Sequence, residues 1–188
     1  MTDSEKQSIL EKYIKSEGLR KHCFSVEDAM RFYSKKLDPA NEEKWALVGL
    51  FHDIDWEAFP DDHPLKAPEI LPKEGIEDSE VIHAILSHYE EKTGVKPESL
   101  MEKCLLACDE LTGLITAASL MRPNGISDLG YSSIKKKMKS KGFARGVDRE
   151  IVQSAFEDFS NSLPEPIEFS AHVENVIEAM RSDERLGL

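Results

Sequence analysis

With 188 residues, 40% of them apolar and 32% charged, the chain has the composition of a globular protein with a substantial core, most simply one domain over residues 1–188. The net charge of −12 speaks against general affinity for nucleic acids or anionic membranes. No apolar run approaches the ~20 residues that span a bilayer, the start Met1-Thr2-Asp3-Ser4-Glu5-Lys6 is unlike a secretory signal, and three cysteines without framework spacing suit a reducing cytoplasm, so a cytoplasmic protein is expected.

Helical periodicity runs through the chain and strand-like alternation is nearly absent. Ser4 to about Ser16 reads as a first helix. Leu19, His22, Val26, Ala29, Tyr33 and Leu37 recur at helical spacing in a second, closed by Asp38-Pro39. Asn41 is the expected cap of a third, which carries the apolar run Trp45-Ala46-Leu47-Val48-Gly49-Leu50-Phe51 into His52-Asp53. Two prolines and several acids mark Asp55–Pro64 as a loop. Short helices follow near Pro68–Leu71 and from Ser79 to about His88, then a loop over Lys92–Pro97. Ser99 opens a long apolar helix reaching Met121, stopped by Arg122-Pro123-Asn124-Gly125. Later helices fit Ser132–Lys141, Asp148–Ser160 and Pro166–Arg185. The expected fold is all-α, a helical bundle around one central buried helix, with a motif core at about 19–122 and a C-terminal helical extension at about 130–188.

The informative residues are polar ones on apolar helices. His52-Asp53 ends a segment with little outer face to give to solvent, and an imidazole beside a carboxylate is costly to bury unless its charge is compensated. The long helix is apolar nearly all round, which marks a core helix, and the only charges between Lys103 and Arg122 are Asp109 and Glu110. Adjacent residues point about 100° apart, so at least one acid must face inward. Asp109 shares its stripe with Leu105, Thr112, Gly113 and Thr116, where small side chains leave room for a ligand cluster. His22 shares a face with Leu19, Val26, Ala29 and Met30. Alone it reads as a hydrogen-bonded core histidine. Together, His22, His52, Asp53 and Asp109 fit a divalent metal such as iron, manganese, cobalt or zinc.

His63 in the acidic loop and His88 at a helix end could surround a second ion, with Asp53 bridging. Alone, they read as a surface residue and as a helix C-terminal cation. His83 lies about 140° around the helix from His88, so both cannot face one metal. Cys23, Cys104, Cys108 and His172 read as packing. From Ser132 to Val147 six basic residues (Lys135, Lys136, Lys137, Lys139, Lys141, Arg145) stand without an acid. That island is either a solvated helix face or a collector of a small anion.

The order His22, His52-Asp53, Asp109 resembles the H…HD…D signature of the HD superfamily of metal-dependent phosphohydrolases. With His63-Pro64 and His88 added, it looks like the six-ligand HDIG-type subset, and like a small bacterial HD hydrolase. Gly49-Leu50-Phe51-His52-Asp53-Ile54-Asp55, Asp109-Glu110-Leu111-Thr112-Gly113-Leu114-Ile115 and Lys135-Lys136-Lys137 carry the likeness. The tetrad ends in Asp55 where the pattern usually has glycine, and Ala67-Pro68 stands for the usual Gly-Ala. The resemblance implies an HD-domain fold with one metal at His22, His52, Asp53 and Asp109 and a second at Asp53, His63 and His88, magnesium joining the candidate ions.

Such a site would cleave a small phosphate ester, a phosphomonoester or phosphodiester such as a nucleotide, with a metal-activated water. Asp53 would bridge, and Asp55 or Asp109 would orient the water. Lys66, Arg122, Lys135 and Lys136 are candidate contacts to the substrate phosphate, each also readable as a surface charge. Two alternatives share the cage: a di-iron oxygenase, and a non-catalytic nucleotide-binding module stabilised by metal. The expected partner is a small phosphorylated metabolite. The region after Arg149 would cover the core or form a surface for self-association.

Overall fold

The computed structural model describes residues 1–140 and 142–188 and is all-α, with ten α-helices and no strand among the described residues. They are α1 (Asp3–Tyr13), α2 (Glu17–Leu37), α3 (Glu42–Phe51), α4 (Ala67–Ile70), α5 (Ser79–Ser87), α6 (Glu90–Thr93), α7 (Leu100–Ser119), α8 (Tyr131–Met138), α9 (Arg149–Ser162) and α10 (Phe169–Arg181).

The expected central helix is α7. A capping box starts it: the Ser99 hydroxyl accepts from the Glu102 N–H, and the Glu102 carboxylate accepts from the Ser99 N–H. Such a cap contributes about 1 kcal/mol to defining the start. Leu105, Leu111, Leu114 and Ile115 are fully buried, and α2, α3, α5, α8, α9 and α10 all pack on α7. A single cluster of buried apolar side chains runs from Leu10 in α1 to Leu186 beyond α10. Cys23, Cys104 and Cys108 are free thiols inside it.

The pairing of α2 with α3 decides where the site forms. Gly49 makes it possible: a Cβ there would lie 2.9 Å from Glu27 Cα, Glu27 N and Val26 C. These are backbone atoms of a helix and cannot move aside as a flexible side chain would. Only glycine lets the two backbones approach this closely. The approach brings His22 on α2 against His52 at the end of α3.

Several boundaries differ from the sequence reading. Lys92 and Thr93 belong to α6 and not to a loop; the helix stops at Gly94, whose φ of +71° suits glycine. The last helix begins at Phe169 and not at Pro166. The Ser160 hydroxyl accepts from the Ile167 N–H and donates to the Ile167 carbonyl, which ties this stretch to α9. Helix α10 ends at Arg181, and Arg185 lies beyond it, paired with Glu27, Asp28 and Asp183. Asn41 precedes α3 but its side chain makes no cap; its amide binds Asp38 instead. Lys141, expected at the end of α8 and in the basic island, lies outside the described residues.

Candidate metal centre

Four imidazoles and two carboxylates meet between α2, α3, α5, α7 and the segment 52–66. His52 caps α3, where the last helical carbonyls lack partners. Its Nδ1 lies 2.8 Å from the Gly49 carbonyl. A carbonyl only accepts, so Nδ1 bears the proton and Nε2 presents a lone pair. His88 caps α5 in the same way, through Nδ1 and the Ile85 carbonyl. His63 Nδ1 is 2.6 Å from Asp55 Oδ1, with the same consequence. For His22 the logic passes through Thr112. That hydroxyl donates to the Asp109 carbonyl at 2.8 Å, so it can only accept from His22 Nδ1, in a longer contact of 3.4 Å.

In the neutral form of each ring Nε2 therefore carries the lone pair, and the four Nε2 atoms face one another. His22 Nε2 is 3.1 Å from His52 Nε2, and His63 Nε2 is 3.0 Å from His88 Nε2. Two lone pairs at hydrogen-bond distance repel unless a cation compensates them. Asp53 stands between the pairs. Its Oδ2 is 3.8 and 3.5 Å from the Nε2 atoms of His22 and His52, and its Oδ1 is 3.4 and 3.9 Å from those of His63 and His88. Ligand atoms of His22, His52 and Asp53 lie within 4.8 Å of one another, as do those of Asp53, His63 and His88. Asp109 Oδ1 completes the first group at 3.0 Å from His22 Nε2 and 3.6 Å from His52 Nε2. Imidazole and carboxylate donors aimed inward in this way fit a divalent metal.

The charges are correspondingly displaced. Burial opposes a proton on His52, but Asp53 and Asp109 overcome it and raise the pKa to about 9. Burial alone would raise Asp109; His52 and His22 instead hold it well below the ordinary range. Burial, then the neighbouring His52, depresses His88 to about 4. Without metal, a proton on His52 Nε2 provides the compensating charge that a divalent ion would otherwise supply, and His88 stays neutral.

The cluster opens into a cleft of about 470 Å³, a volume suited to a small organic ligand. Beyond the cage residues the walls are Trp56, Tyr89, Glu91, Leu106, Glu110, Gly113, Gly146 and Ile151. Trp56 and Tyr89 are 45% and 42% exposed and flank His63, ring centroids 4.9 and 6.4 Å away. Burial, and then Asp109, raise Glu110 to about 7. A larger groove of about 640 Å³ between the starts of α3, α5 and α7 holds no such cluster. His83 lies there, paired with Glu102 and turned away from His88 as its helical position requires.

All six predicted ligands thus come together, while the other predicted contacts do not. Among the described residues no lysine or arginine lines the cleft. The Lys66 ammonium pairs with Glu69. Arg122 is held by Asp128 and Ser133 at the far end of α7. Lys135 and Lys136 are exposed on α8, with Lys135 5.7 Å over the Tyr131 ring. The water-orienting role expected of Asp55 also fails on geometry. Both its oxygens are committed, Oδ1 to His63 and Oδ2 to the N–H groups of Lys66 and Ala67 at 2.9 and 3.1 Å, and the residue is fully buried. Of the remaining walls the sequence pointed to Glu110 and Gly113, neighbours of Asp109 on the central helix, and not to the others. Trp56 and Tyr89 stand beside ligand-bearing positions and were readable as neighbours, whereas Gly146 and Ile151 arrive from the C-terminal part with no local signal.

An all-α fold with two His/Asp clusters sharing one carboxylate defines a class of metal-binding helical proteins. Residues 19–114, half of the chain, match the model of the HD domain, and the chain belongs to that family, whose members include metal-dependent phosphohydrolases. No curated protein and no solved structure matches the chain. No helix is long and apolar enough to cross a membrane among the described residues.

Proposed function

We propose that this chain is a metal-dependent phosphohydrolase of the six-ligand HDIG type, cleaving a small phosphomonoester or phosphodiester such as a nucleotide. The observation that carries the reading is the convergence of four Nε2 lone pairs on the two oxygens of Asp53. His22, His52, Asp53 and Asp109 would hold one divalent ion, and Asp53, His63 and His88 a second. Bound there, such ions supply Lewis acidity toward a phosphoryl oxygen and acidify a water.

The chain's own part is positioning and charge. Asp53 reaches both clusters and fixes their separation. Asp109 stays ionised beside His22 and His52, a negative ligand oxygen and hydrogen-bond acceptor at Oδ1. With no lysine or arginine in the cleft wall among the described residues, neutralisation of the phosphate falls to the cage, and Lys66, Arg122, Lys135 and Lys136 have no direct part in binding it. Trp56, Tyr89 and Leu106 offer apolar surface to the rest of the ester.

The test is metal analysis of the purified protein followed by a panel of phosphomonoesters and phosphodiesters. Hydrolysis that disappears in Asp53→Ala together with metal content is the expected result. Hydrolysis retained in that variant overturns the mechanism, and iron with oxygen-dependent turnover overturns the hydrolase reading in favour of an oxygenase.

A further inference from the structure

The four imidazoles are oriented by different means. His52 and His88 sit at helix ends and lean on carbonyls three residues back; His22 leans on the Thr112 hydroxyl. His63 belongs to no helix. The Phe59 carbonyl accepts the backbone N–H groups of Asp62 and His63 itself. The His63 ring is anchored by a side chain, that of Asp55. Its Oδ2 is pinned by two backbone N–H groups, and its Oδ1 is presented to His63 Nδ1 at 2.6 Å, the Asp55 side chain being fully buried. Of the four imidazoles, His63 alone is backed by a carboxylate.

The two ligand groups are also unequal. The first has four side chains, two of them carboxylates; the second has three and shares its only carboxylate, Asp53. A carboxylate behind an imidazole locks its tautomer and strengthens the opposite nitrogen as a donor. We infer that Asp55 is a positioning residue for the second metal position, holding His63 in the Nδ1–H form and lending the poorer ligand group a further negative charge through the ring. The inference rests on the two-cluster metal cage proposed above.

The experiment titrates the full-length, metal-stripped protein and its Asp55→Asn variant with zinc, following metal equivalents per chain. It also records the histidine ¹⁵N resonances, with His63 assigned by its loss in His63→Gln. Asparagine keeps size and one acceptor but removes the charge. The expected result is two equivalents in the wild type, with one weakened about 10- to 100-fold in Asp55→Asn and the other unchanged. Two equivalents at wild-type affinity in the variant would overturn the role of Asp55, as would equal weakening of both. If the variant fails to fold, the wild-type spectrum still decides: an Nδ1–H His63 supports the assignment, and an Nε2–H form overturns it. A wild type that takes up no zinc would instead sink the metal-cage reading from which this one starts.

Discussion

His52 and His172 are both completely buried, both contact the α2–α7 core, and yet they belong to opposite kinds of environment. His172 on α10 is saturated. Its Nε2–H donates to the Ala107 carbonyl at 3.0 Å, so its Nδ1 accepts from the Tyr33 hydroxyl at 2.6 Å. Each nitrogen has a partner of the complementary kind, and burial accordingly depresses its pKa to about 4. His52 has one nitrogen satisfied, and its other lone pair is aimed at a second lone pair and two carboxylates. His22 and Tyr33 lie on one face of α2 about three turns apart, so one helix serves both environments. Burial does not separate a ligand from a packing residue; the count of unsatisfied nitrogens does.

Substitution breaks the comparison most sharply. His52→Ala should abolish turnover in a phosphatase assay and remove metal from the first position, while leaving the helical circular dichroism intact. His172→Ala should do the reverse, keeping metal content and turnover at 25 °C. It strands the Ala107 carbonyl and the Tyr33 hydroxyl around a cavity, at a cost of about 2–4 kcal/mol in urea unfolding. A His172→Ala variant that loses metal with unchanged stability would erase the distinction.

Acidification provides the next test. The pKa of His172 falls from 6.5, the value of an unperturbed histidine, to about 4 in the fold. Between these values the unfolded chain binds more protons than the folded one, so stability is full above pH 6.5 and declines as pH falls toward 4. Integrated over that window the loss is about 3 kcal/mol. His172→Gln, which can still accept from Tyr33 and donate to Ala107, should lack this part of the pH dependence. Parallel stability curves for the two proteins across the window would contradict the assignment.

Smaller effects probe the frame. Gly49→Ala places a Cβ against the α2 backbone and should cost about 1–3 kcal/mol of stability through overpacking. It should also weaken metal binding, because the displaced helices carry His22 and His52. Smallest of all, Lys135→Ala and Lys136→Ala should leave KM for a phosphate ester within about twofold, since exposed charges that do not line the cleft are screened by solvent. A tenfold rise in KM would restore the basic island as a substrate contact.

What the sequence made legible follows from what each residue type costs to bury. The central helix announced itself by apolarity on every side, and Asp109 by being an acid there. His22, His52 and Asp53 stood out for the same reason. His63 and His88 needed the rest of the cluster, because a loop histidine and a helix-end histidine have ordinary explanations when taken alone. The lysines misled because a surface charge costs nothing wherever it points, so its direction leaves no trace in the pattern. Asp55 was noticed for the wrong reason: its proximity to His52-Asp53 was visible, but the fold of residues 52–66 that turns it toward His63 was not. The C-terminal helices contribute Ile151 to the cleft and His172 to the core, contacts that arise only when distant segments pack.

The central claim is that the facing Nε2 lone pairs of His22, His52, His63 and His88 exist to hold divalent metal. Elemental analysis and zinc titration of the metal-stripped full chain at neutral pH, beside Asp53→Ala, test it most directly. Bound metal in the wild type and near-complete loss in the variant are the expected results. A folded wild-type protein that binds none, or an Asp53→Ala protein that binds as much, would contradict it.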